Sequence, residues 1–256
     1  MSKSITAGID FGNQTCVLSI PTKFGVDIIL NQSSNRKTPT IIGYQNERRF
    51  SGEFALQQHM LNINNTITEL KQLVGLHYHS QEREEMSKSV PYKIVCLNDN
   101  GLSGIQLEDN TILRPEQIIA YLLKSLLEII QMKNPKMQQL IISVPIWWNE
   151  LQKRTILNAA SISKIKVASL IDSMTAAAIS YVKIHSDRFS SEPEKKSNVV
   201  FIDIGDISMN IAVASLSKRS IEIKGFATDK TISGQFFTKQ LEEFLLKKVL
   251  ENNNNF

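Results

Sequence analysis

Gly8-Ile9-Asp10-Phe11-Gly12-Asn13-Gln14-Thr15 is the stretch around which this sequence is organised. Apolar residues on both sides of it predict two β-strands, and the stretch joins them. Because glycine has no Cβ atom, Gly12 allows a tight turn and a close approach of the backbone to a phosphate. Successive backbone N–H groups in such a turn can form an anion-binding concavity, to which the polar side chains after Gly12 add donors. The stretch therefore predicts a phosphate-binding loop between two strands.

A second stretch, Phe201-Ile202-Asp203-Ile204-Gly205-Asp206-Ile207-Ser208, repeats this pattern. Both copies are apolar strands that end in Asp-x-Gly and lead through polar residues into another strand. A single Asp-x-Gly is usual in an ordinary β-turn, whereas two copies in matching context favour phosphate binding. Asp10 and Asp203, one at each strand end, are suited to hold a hydrated Mg²⁺. The repeat predicts two hairpins that clamp a nucleotide between two lobes.

The pattern between and after the repeats predicts an α/β protein. Pro115 begins a helix with an apolar stripe over residues 118–130, followed by a strand at 140–144. A helix at 150–161, a strand at 166–171 and a helix at 174–183 complete a β-α-β-α series, which implies a parallel section of sheet. Antiparallel meanders are expected at both copies of the repeat, and Ser233-Gly234 begins a last helix that runs to about residue 250.

Residues 39–74 are predicted from shorter patterns. Residues 39–44 predict one short strand, and residues 54–61 a short helix. A second helix is predicted at 66–74, because Thr66 and Glu69 have the spacing of a capping box and Gly75 is suited to end it. The charged residues 82–85 are expected to be a solvated run, and one ring of Trp147-Trp148 is expected to be packed and the other partly exposed.

Composition and missing motifs exclude several classes of protein. The chain has 256 residues and a net charge of +4 without a Lys/Arg block, so nucleic-acid binding is not expected. Its most apolar stretch contains Lys124 and Glu128 and is too short to span a bilayer, and no signal peptide is expected. Two distant cysteines indicate a reducing compartment, hence a cytoplasmic protein with no membrane partner. Neither the P-loop motif nor Gly-x-Gly-x-x-Gly before a helix occurs.

Together these motifs resemble the heat-shock protein 70 superfamily from Gly8 to about Leu245. The segments that carry the resemblance are residues 8–16, 69–75, 143–149, 175–181, 203–210 and Ser233-Gly234. The resemblance implies an α/β, actin-like ATPase fold with ribonuclease H-like repeats, with lobe I complete and lobe II partial. Lobe I would span residues 1–185, with subdomain IB at about 39–111, the connecting loop 186–197, and the partial lobe II 198–256.

Within the superfamily the chain is similar to the heat-shock protein 110 branch. Residues 34–39, 65–67, 75–79 and 203–205 resemble that branch, as does the long connection at 186–197. The branch exchanges nucleotide on a 70-type chaperone, holds unfolded polypeptide, and binds ATP while hydrolysing it weakly. The resemblance therefore implies ATP or ADP with Mg²⁺ as cofactors, and a 70-type chaperone and unfolded polypeptide as partners.

The resemblance also assigns roles to individual residues. Lys71 would meet the γ-phosphate and the attacking water, and Asp10 and Asp203 would hold Mg²⁺ through water, so these three are the catalytic candidates. The residues implied to cradle the phosphates are Gly12, Asn13, Gln14, Thr15, Gly205, Asp206, Ile207, Ser208 and Gly234.

Departures from the family pattern bear on hydrolysis. Ser173 stands where the 70 branch has a glutamate, and Asp172 lies one residue too early to replace it. Asp206-Ile207-Ser208 replaces Gly-Gly-Thr, so a negative charge lies beside the presumed phosphates. Asn210 replaces a further aspartate, and Asn13-Gln14 replaces two threonines. These changes indicate at most a weak ATPase.

Three functions follow, in decreasing order of support. The leading hypothesis is an ATP-binding co-chaperone of the 110 type whose closed lobes grip a 70-type chaperone. The second, motivated by Ser173 and Asp206, is a nucleotide-independent scaffold or ribosome-associated binding module. The third is an active chaperone ATPase, which the absence of a glutamate at position 173 disfavours.

Overall fold

The structure is a computed structural model that describes residues 5–192 and 195–253. The chain forms two compact units. Unit 1 contains the chain up to Val144 together with Trp148–Ile171, and unit 2 contains Pro145–Trp147 and the described residues from Asp172 onward. The lobe boundary expected near residue 185 stays a prediction.

Both units contain strands and helices. The strands are β1 (Ile5–Phe11), β2 (Thr15–Thr22), β3 (Gly25–Ile29), β4 (Lys37–Pro39), β5 (Ile42–Gln45), β6 (Arg48–Ser51), β7 (Thr66–Ile67), β8 (Lys93–Cys96), β9 (Ser103–Gln106), β10 (Ile112–Leu113), β11 (Met137–Val144), β12 (Lys166–Asp172), β13 (Ser197–Ile204), β14 (Met209–Leu216) and β15 (Ile221–Asp229). The α-helices are α1 (Glu53–Gln58), α2 (Leu70–Leu73), α3 (Gln81–Ser89), α4 (Pro115–Lys133), α5 (Glu150–Ile162), α6 (Ser173–Ile184) and α7 (Gly234–Asn253). Short 3-10 turns lie at His59–Leu61, Ile63–Asn65 and Ser186–Arg188.

The main sheet of unit 1 has the order β12-β11-β1-β2-β3, and β4 pairs with β2. β1 and β2 are antiparallel, as are β2 and β3, which confirms the predicted meander. β1 runs parallel to β11, which confirms a parallel section. Alternate side chains of β1, those of Ala7, Ile9 and Phe11, are buried, so this strand lies at the centre of the core. Parallel pairing brings the carboxyl ends of β1 and β11 to the same edge of the sheet.

The core of unit 1 depends on α4, whose predicted apolar stripe is confirmed. Pro115 begins the helix at its first turn, where no backbone N–H is needed. The buried side chains recur at helical spacing at Ile118, Leu122, Leu126 and Ile130. α4 packs against α5, which begins and ends within a residue of its prediction.

The single strand predicted at 39–44 is wrong, because two strands in different sheets take its place. β4 belongs to the main sheet, whereas β5 forms a separate sheet with β6 and β7. The chain leaves the main sheet at Thr40, whose backbone N–H donates to the carbonyl of Gln14 at 2.8 Å. The Thr40 hydroxyl donates to the carbonyl of Gly12 at 3.1 Å. Thr40 is therefore used to brace the first loop and does not continue the strand.

The capping box predicted at Thr66 and Glu69 is also wrong. Thr66 lies in β7, and its hydroxyl donates to the carbonyl of Asn62 at 2.6 Å. The helix begins only at Leu70, after Glu69, whose φ of 55° is left-handed. Gly75 does lie beyond the helix end, with a φ of 67°.

Three elements lack the periodicity from which they could be predicted. α3 contains the run expected to be a solvated segment, and Met86 is its buried apolar residue. It begins because the Ser80 hydroxyl accepts a hydrogen bond from the backbone N–H of Arg83, an N-cap that satisfies an otherwise unpaired donor. β6 and β10 are short strands of four and two residues that extend neighbouring hairpins.

Unit 2 is built on a second antiparallel meander, β13-β14-β15, as predicted. One face of this sheet packs on α6 through a core of Ala178, Val182, Phe189, Ala214 and Leu216. The expected loop at 186–197 begins with the turn Ser186–Arg188, and its residues 193–194 lie outside the described residues.

Gly75 follows α2 and packs against Gln152 of α5, and its replacement by alanine should destabilise the protein. The φ of 67° disfavours any side chain, and a Cβ atom would lie 2.8 Å from Cγ of Gln152. Gln152 cannot yield without weakening its bonds to Val74 and Asn149. We expect Gly75→Ala to lower the free energy of unfolding by about 1–3 kcal/mol more than a strain-only control, measured by urea denaturation.

Gly101→Ala is that matched control, since Gly101 has the same φ of 67° and its Cβ atom would meet nothing within 4 Å. Equal destabilisation by the two substitutions would show that the contact with α5 contributes nothing.

Candidate functional site

The first loop, residues 12–14, joins β1 to β2 and is held by hydrogen bonds from Thr40. A Cβ atom on Gly12 would run into the carbonyl oxygen of Thr15, so only glycine fits there without a shift of the backbone. The hydroxyl of Thr40 bonds to the carbonyl of Gly12, and the backbone N–H of Thr40 bonds to that of Gln14. The side chain of Gln14 is exposed. Thr40 therefore fixes the backbone of the loop, while the side that carries Gln14 is exposed to solvent.

Asp10 lies at the edge of the sheet where β1 meets β11. The parallel register places it beside Ser143, whose hydroxyl donates to one carboxylate oxygen of Asp10 at 2.6 Å. Asp10 is exposed, so its carboxylate is oriented by the sheet and still accessible to solvent. Ser143 was not predicted as a site residue, although the parallel pairing of the two strands could have suggested it.

The side chain of Asn13 points into the protein interior. Its side chain is 5% exposed, and its amide donates to a carboxylate oxygen of Glu69 at 2.5 Å. The same oxygen accepts from the side chain of Gln72 at 2.6 Å. This polar group ties the first loop to the start of α2. A phosphate contact by the Asn13 side chain stays a prediction, and Glu69 is a neighbour of the site that the sequence analysis placed only in a capping box.

Lys71, on α2, lies above the end of β1. Its ammonium nitrogen is 6.0 Å from the centroid of the Phe11 ring. Phe11 is fully buried and meets the edge of Trp148, with 6.5 Å between the ring centroids. The charges of Lys71 and Asp10 both reach the thiol of Cys16. Unit 1 therefore places Asp10, Lys71 and the first loop around Cys16 and Phe11, and the roles that the family resemblance implied for them stay predictions.

Cys16 forms the buried floor of this site. The pKa of its thiol is raised to about 11, chiefly by burial and also by the charge of Asp10, against the opposing effects of a hydrogen bond with Thr40 and the charge of Lys71. The sulfur lies 3.3 Å from the Thr40 hydroxyl. At neutral pH the thiol is protonated and behaves as a small apolar residue.

The second loop, in unit 2, is a tight turn between β13 and β14. The backbone N–H of Gly205 donates to the carbonyl of Ser208 at 2.9 Å. Asp203 is exposed near the end of β13, opposite Asn210 in the antiparallel register. Ser208 is buried, and its hydroxyl accepts from the Asn210 amide at 3.3 Å. Asn210 in turn accepts from the hydroxyl of Thr228 at 3.0 Å, so its amide links the turn to β15.

Asp206 faces the start of α7. Its carboxylate accepts from the side chain of Gln235 at 3.1 Å, and its carbonyl accepts from the backbone N–H of Gln235 at 2.9 Å. Gly234 donates to the carbonyl of Gly205 at 2.9 Å, and its Cβ position lies 3.4 Å from Cα of Asp206. A carboxylate at a helix N-terminus is stabilised by the helix dipole, so the charge of Asp206 is partly offset locally.

Asp172 does not take the place of the glutamate that the 70 branch has where this chain has Ser173. Its carboxylate accepts from the backbone N–H of Thr175 at 2.7 Å and from the Thr175 hydroxyl at 2.6 Å. It is the N-cap of α6, and Ser173 is the first residue of that helix. The carboxylate is therefore occupied in starting the helix.

The tryptophan pair divides as predicted. Trp148 is buried in unit 1, and Trp147 is partly exposed in unit 2, where the ammonium of Lys230 lies 4.8 Å from its ring.

Within residues 5–192 and 195–253, no cluster of three or more His, Cys, Asp or Glu side chains could hold a metal ion without other ligands. Within the same described residues, no helix is both long and apolar enough to cross a membrane.

Comparison with known proteins then places the chain. Residues 6–255 match the family model described as Hsp70 protein. The chain belongs to the Hsp70 family. The predicted actin-like ATPase fold is thereby confirmed, since it is the fold of this family.

The relatives of this Hsp70-family chain are of the heat-shock protein 110 type, as predicted. It is 34% identical over 244 residues to a heat shock protein homolog of Eremothecium gossypii, covering 94% of this chain and 35% of that protein. It is 31% identical to heat shock protein 88 of Dictyostelium discoideum, covering 96% of this chain and 32% of that protein. It is 30% identical to the like-named heat shock protein homolog of Saccharomyces cerevisiae, covering 92% of this chain and 34% of that protein. The chain thus spans about a third of the length of these relatives.

The buried thiol beneath the first loop can be tested by chemical modification. At pH 8 we expect a thiol reagent to modify Cys96, which is partly exposed, and to leave Cys16 unmodified until denaturant is added. Because the raised pKa of Cys16 keeps the thiol neutral in the folded state, its stabilising contribution is present below the pKa of the unfolded thiol. That contribution is lost as the pH rises toward about 11.

Cys96→Ser is the matched control, and this variant should show no rapidly reacting thiol while folded. Rapid modification of the folded Cys96→Ser protein would contradict the burial of Cys16 beneath the first loop.

Proposed function

We propose that this Hsp70-family chain is an ATP-binding co-chaperone of the heat-shock protein 110 type with weak or no hydrolysis. The observation that carries the proposal is the arrangement in unit 1, where Ser143 orients the Asp10 carboxylate, Lys71 lies 6.0 Å from the centroid of the Phe11 ring, and Thr40 braces the glycine loop. An ammonium group, a carboxylate that can orient a hydrated cation and a backbone that allows close approach are the groups that a magnesium-bound polyphosphate needs.

The donor set fits ATP with Mg²⁺. Asp10 is exposed and held at one oxygen, which suits binding through water, since Mg²⁺ keeps several waters and takes few protein carboxylates. Gly12, Asn13, Gln14 and Thr15 are proposed to contact phosphate, and Lys71 to approach the γ-phosphate. The magnesium supplies charge neutralisation of the phosphates, and the residues of this chain position them.

Unit 2 contributes its own proposed residues. Asp203 is exposed at the end of β13 and is proposed to hold Mg²⁺ through water. The proposed phosphate contacts are Gly205, Asp206, Ile207, Ser208 and Gly234. Because Asp206 bonds to Gln235 at the N-terminus of α7, its charge opposes an anion less than a solvent-facing carboxylate would. The division into lobe I at 1–185, a loop at 186–197 and part of lobe II at 198–256 is proposed with these roles.

Weak hydrolysis follows from the start of α6. Positioning a water for attack on phosphate requires an acceptor beside it, and Ser173 provides no carboxylate there. Asp172 is committed to two hydrogen bonds with Thr175. Binding without turnover suits a protein whose bound nucleotide sets a conformation, and we propose that this conformation is read by a 70-type chaperone in the cytoplasm. Unfolded polypeptide is proposed as a further partner.

Nucleotide binding is tested by calorimetry with ATP and Mg²⁺. We expect binding that weakens about tenfold or more in Asp10→Asn, because the substitution removes the charge that orients the hydrated cation (about 1.4 kcal/mol per factor of ten). Without Mg²⁺ the two proteins should bind ATP with similar affinity.

Asp27→Asn, which removes an exposed carboxylate from β3, is the matched control and should bind like the parent protein. Absence of heat at high micromolar ATP in the folded parent chain would end the nucleotide-dependent proposal.

The second candidate is a nucleotide-independent scaffold or ribosome-associated binding module. It is favoured by the commitment of Asp172 and Asp206 to helix starts, since neither carboxylate is then arranged for chemistry. The two candidates differ in how a partner responds to nucleotide.

That difference predicts the behaviour of a mixture with a 70-type chaperone. If nucleotide sets the conformation, the chain should accelerate release of labelled ADP from the chaperone, and Asp10→Asn should reduce this acceleration. Stopped-flow fluorescence measures the release. A complex whose affinity and exchange rate are the same with and without ATP on this chain would instead support the scaffold.

A further inference from the structure

Glu69 connects the first loop to helix α2 through one carboxylate oxygen. That oxygen accepts a hydrogen bond from the Asn13 amide at 2.5 Å and another from the Gln72 amide at 2.6 Å. The carbonyl of Glu69 also accepts from the backbone N–H of Gln72 at 2.9 Å, at the start of α2. Hydrogen bonds to a carboxylate are about twice as strong as those between neutral groups. The first loop and α2 therefore share one strong acceptor, although Asn13 and Glu69 are 56 positions apart in sequence.

The backbone of Glu69 is held in an unfavourable conformation. Its φ of 55° and ψ of 30° are left-handed, a region that residues with a Cβ atom rarely adopt. Glycine would adopt this conformation at no steric cost. Strain of this kind persists only where the surrounding structure determines it, and it is concentrated at functional sites. What distinguishes Glu69 from the glycine that would fit its backbone is the carboxylate that binds Asn13 and Gln72.

The side chain of Asn13 is shut off from solvent. It is 5% exposed, so its amide donates to Glu69 inside the protein. A buried amide that loses a hydrogen bond retains the cost of its desolvation. Movement of the first loop away from α2 is opposed for this reason, because it would separate the Asn13 amide from the carboxylate. The bond between Asn13 and Glu69 thus fixes the spacing between the first loop and α2.

This spacing bears on Lys71, which lies two residues after Glu69. Leu70 and Leu73 are buried, so apolar side chains anchor α2. The ammonium of Lys71 lies 6.0 Å from the centroid of the ring of Phe11, the last residue of β1, and the first loop begins at the next residue. A polyphosphate held by the loop can therefore reach the ammonium with its terminal phosphate only if the loop and α2 keep a suitable spacing.

We propose that Glu69 is a positioning residue that sets the spacing between the first loop and Lys71, so that the site distinguishes a nucleoside triphosphate from a diphosphate. The inference rests on the proposed function, in which the loop contacts phosphate and Lys71 approaches the γ-phosphate. A diphosphate has no γ-phosphate, so its binding depends on the loop and much less on the spacing to Lys71. Glu69 acts through Asn13 and α2, without contact to the nucleotide.

Two other roles for Glu69 give different results. A carboxylate that acted only by its charge would oppose ATP more than ADP, because ATP carries one more negative charge. Its removal would then raise the affinity for ATP relative to ADP. A carboxylate that only stabilised the fold would, when removed, lower the free energy of unfolding and leave the ratio of the two affinities unchanged. The positioning role alone predicts that this ratio falls.

The ratio of the ATP and ADP affinities is measured by calorimetry with Mg²⁺ on the full chain. The parent chain is expected to bind ATP more tightly than ADP. Glu69→Ala and Asn13→Ala should each lower the ratio at least about fivefold, because each removes the same hydrogen bond. The double variant should lower it no further than Glu69→Ala alone, since residues that act through one contact are not additive. A further loss in the double variant would contradict the proposal and indicate a direct contact of the Asn13 side chain with phosphate.

Glu69→Gln is the conservative variant, because it removes the charge and keeps an oxygen acceptor at the same distance from the backbone. It should retain a ratio closer to that of the parent chain than Glu69→Ala does. A ratio above the parent value in Glu69→Gln would contradict the proposal and support a role by charge alone.

Glu108→Ala is the matched control. Glu108 accepts hydrogen bonds from the amides of Asn64 and Asn65 at 2.9 and 2.8 Å, so this variant removes the same charge and the same kind of contact elsewhere in unit 1. It should keep the parent ratio. An equal fall of the ratio in Glu108→Ala would overturn the proposal. An unchanged ratio in Glu69→Ala and Asn13→Ala would overturn it too.

Failure of the proposed function gives a different result. A folded parent chain that binds neither nucleotide would end both the proposed function and the role of Glu69. A parent chain that binds ATP without preference over ADP would end only the role of Glu69. The same holds if the preference exists and the loss of the bond between Asn13 and Glu69 leaves it unchanged.

Hydrogen exchange tests the spacing in the chain without nucleotide, because the exchange of backbone amides reports local opening. Glu69→Ala and Asn13→Ala should exchange faster than the parent chain in the first loop, residues 12–14, and in α2, residues 70–73, whereas Glu108→Ala should not. Unchanged exchange in the first loop of both variants, with the circular dichroism of the parent chain, would overturn the proposal, because the bond would then not hold the loop.

Discussion

The parallel pairing of β1 with β11 is the constraint on which the rest of the candidate site depends. It brings residues more than a hundred positions apart to one sheet edge and sets Ser143 against the carboxylate of Asp10. The same edge receives the first loop on one side and α2 on the other, through Asn13 and Glu69. Because the carboxyl ends of parallel strands share an edge, side chains placed there converge without a dedicated scaffold.

The loops themselves are held by hydrogen bonds from residues outside them, through both side chains and backbone N–H groups. Thr40 supports the first loop through two hydrogen bonds, and Gln235 supports the second through another two. A phosphate site gains from such support, since donors already fixed in place need no reordering when the anion arrives. The repeat therefore provides two similar turns, and different long-range contacts fix each of them.

The sequence predicts the parts of this fold in which periodicity decides. The stripe of α4, the two meanders and the parallel series could be identified because burial repeats at a regular interval. Prediction failed at Thr66 and at residues 39–44, where the Thr66 hydroxyl bonds to the nearby carbonyl of Asn62 and the Thr40 hydroxyl to the distant carbonyl of Gly12. Lys71 could be placed in the site only through the family motif, and Glu69, Ser143 and Gln235 joined it only through the tertiary structure.

The departures from the family pattern share one physical character. Asp172 starts α6, Asp206 bonds to the start of α7, and Asn210 links the second turn to β15. Each polar group thus stabilises the local structure through these hydrogen bonds. In contrast, the groups proposed to bind the nucleotide in unit 1 are the Gly12 loop, which Thr40 braces, and the Asp10 carboxylate, which Ser143 orients. This division is the one expected under the proposed function, in which the bound nucleotide acts as a conformational ligand.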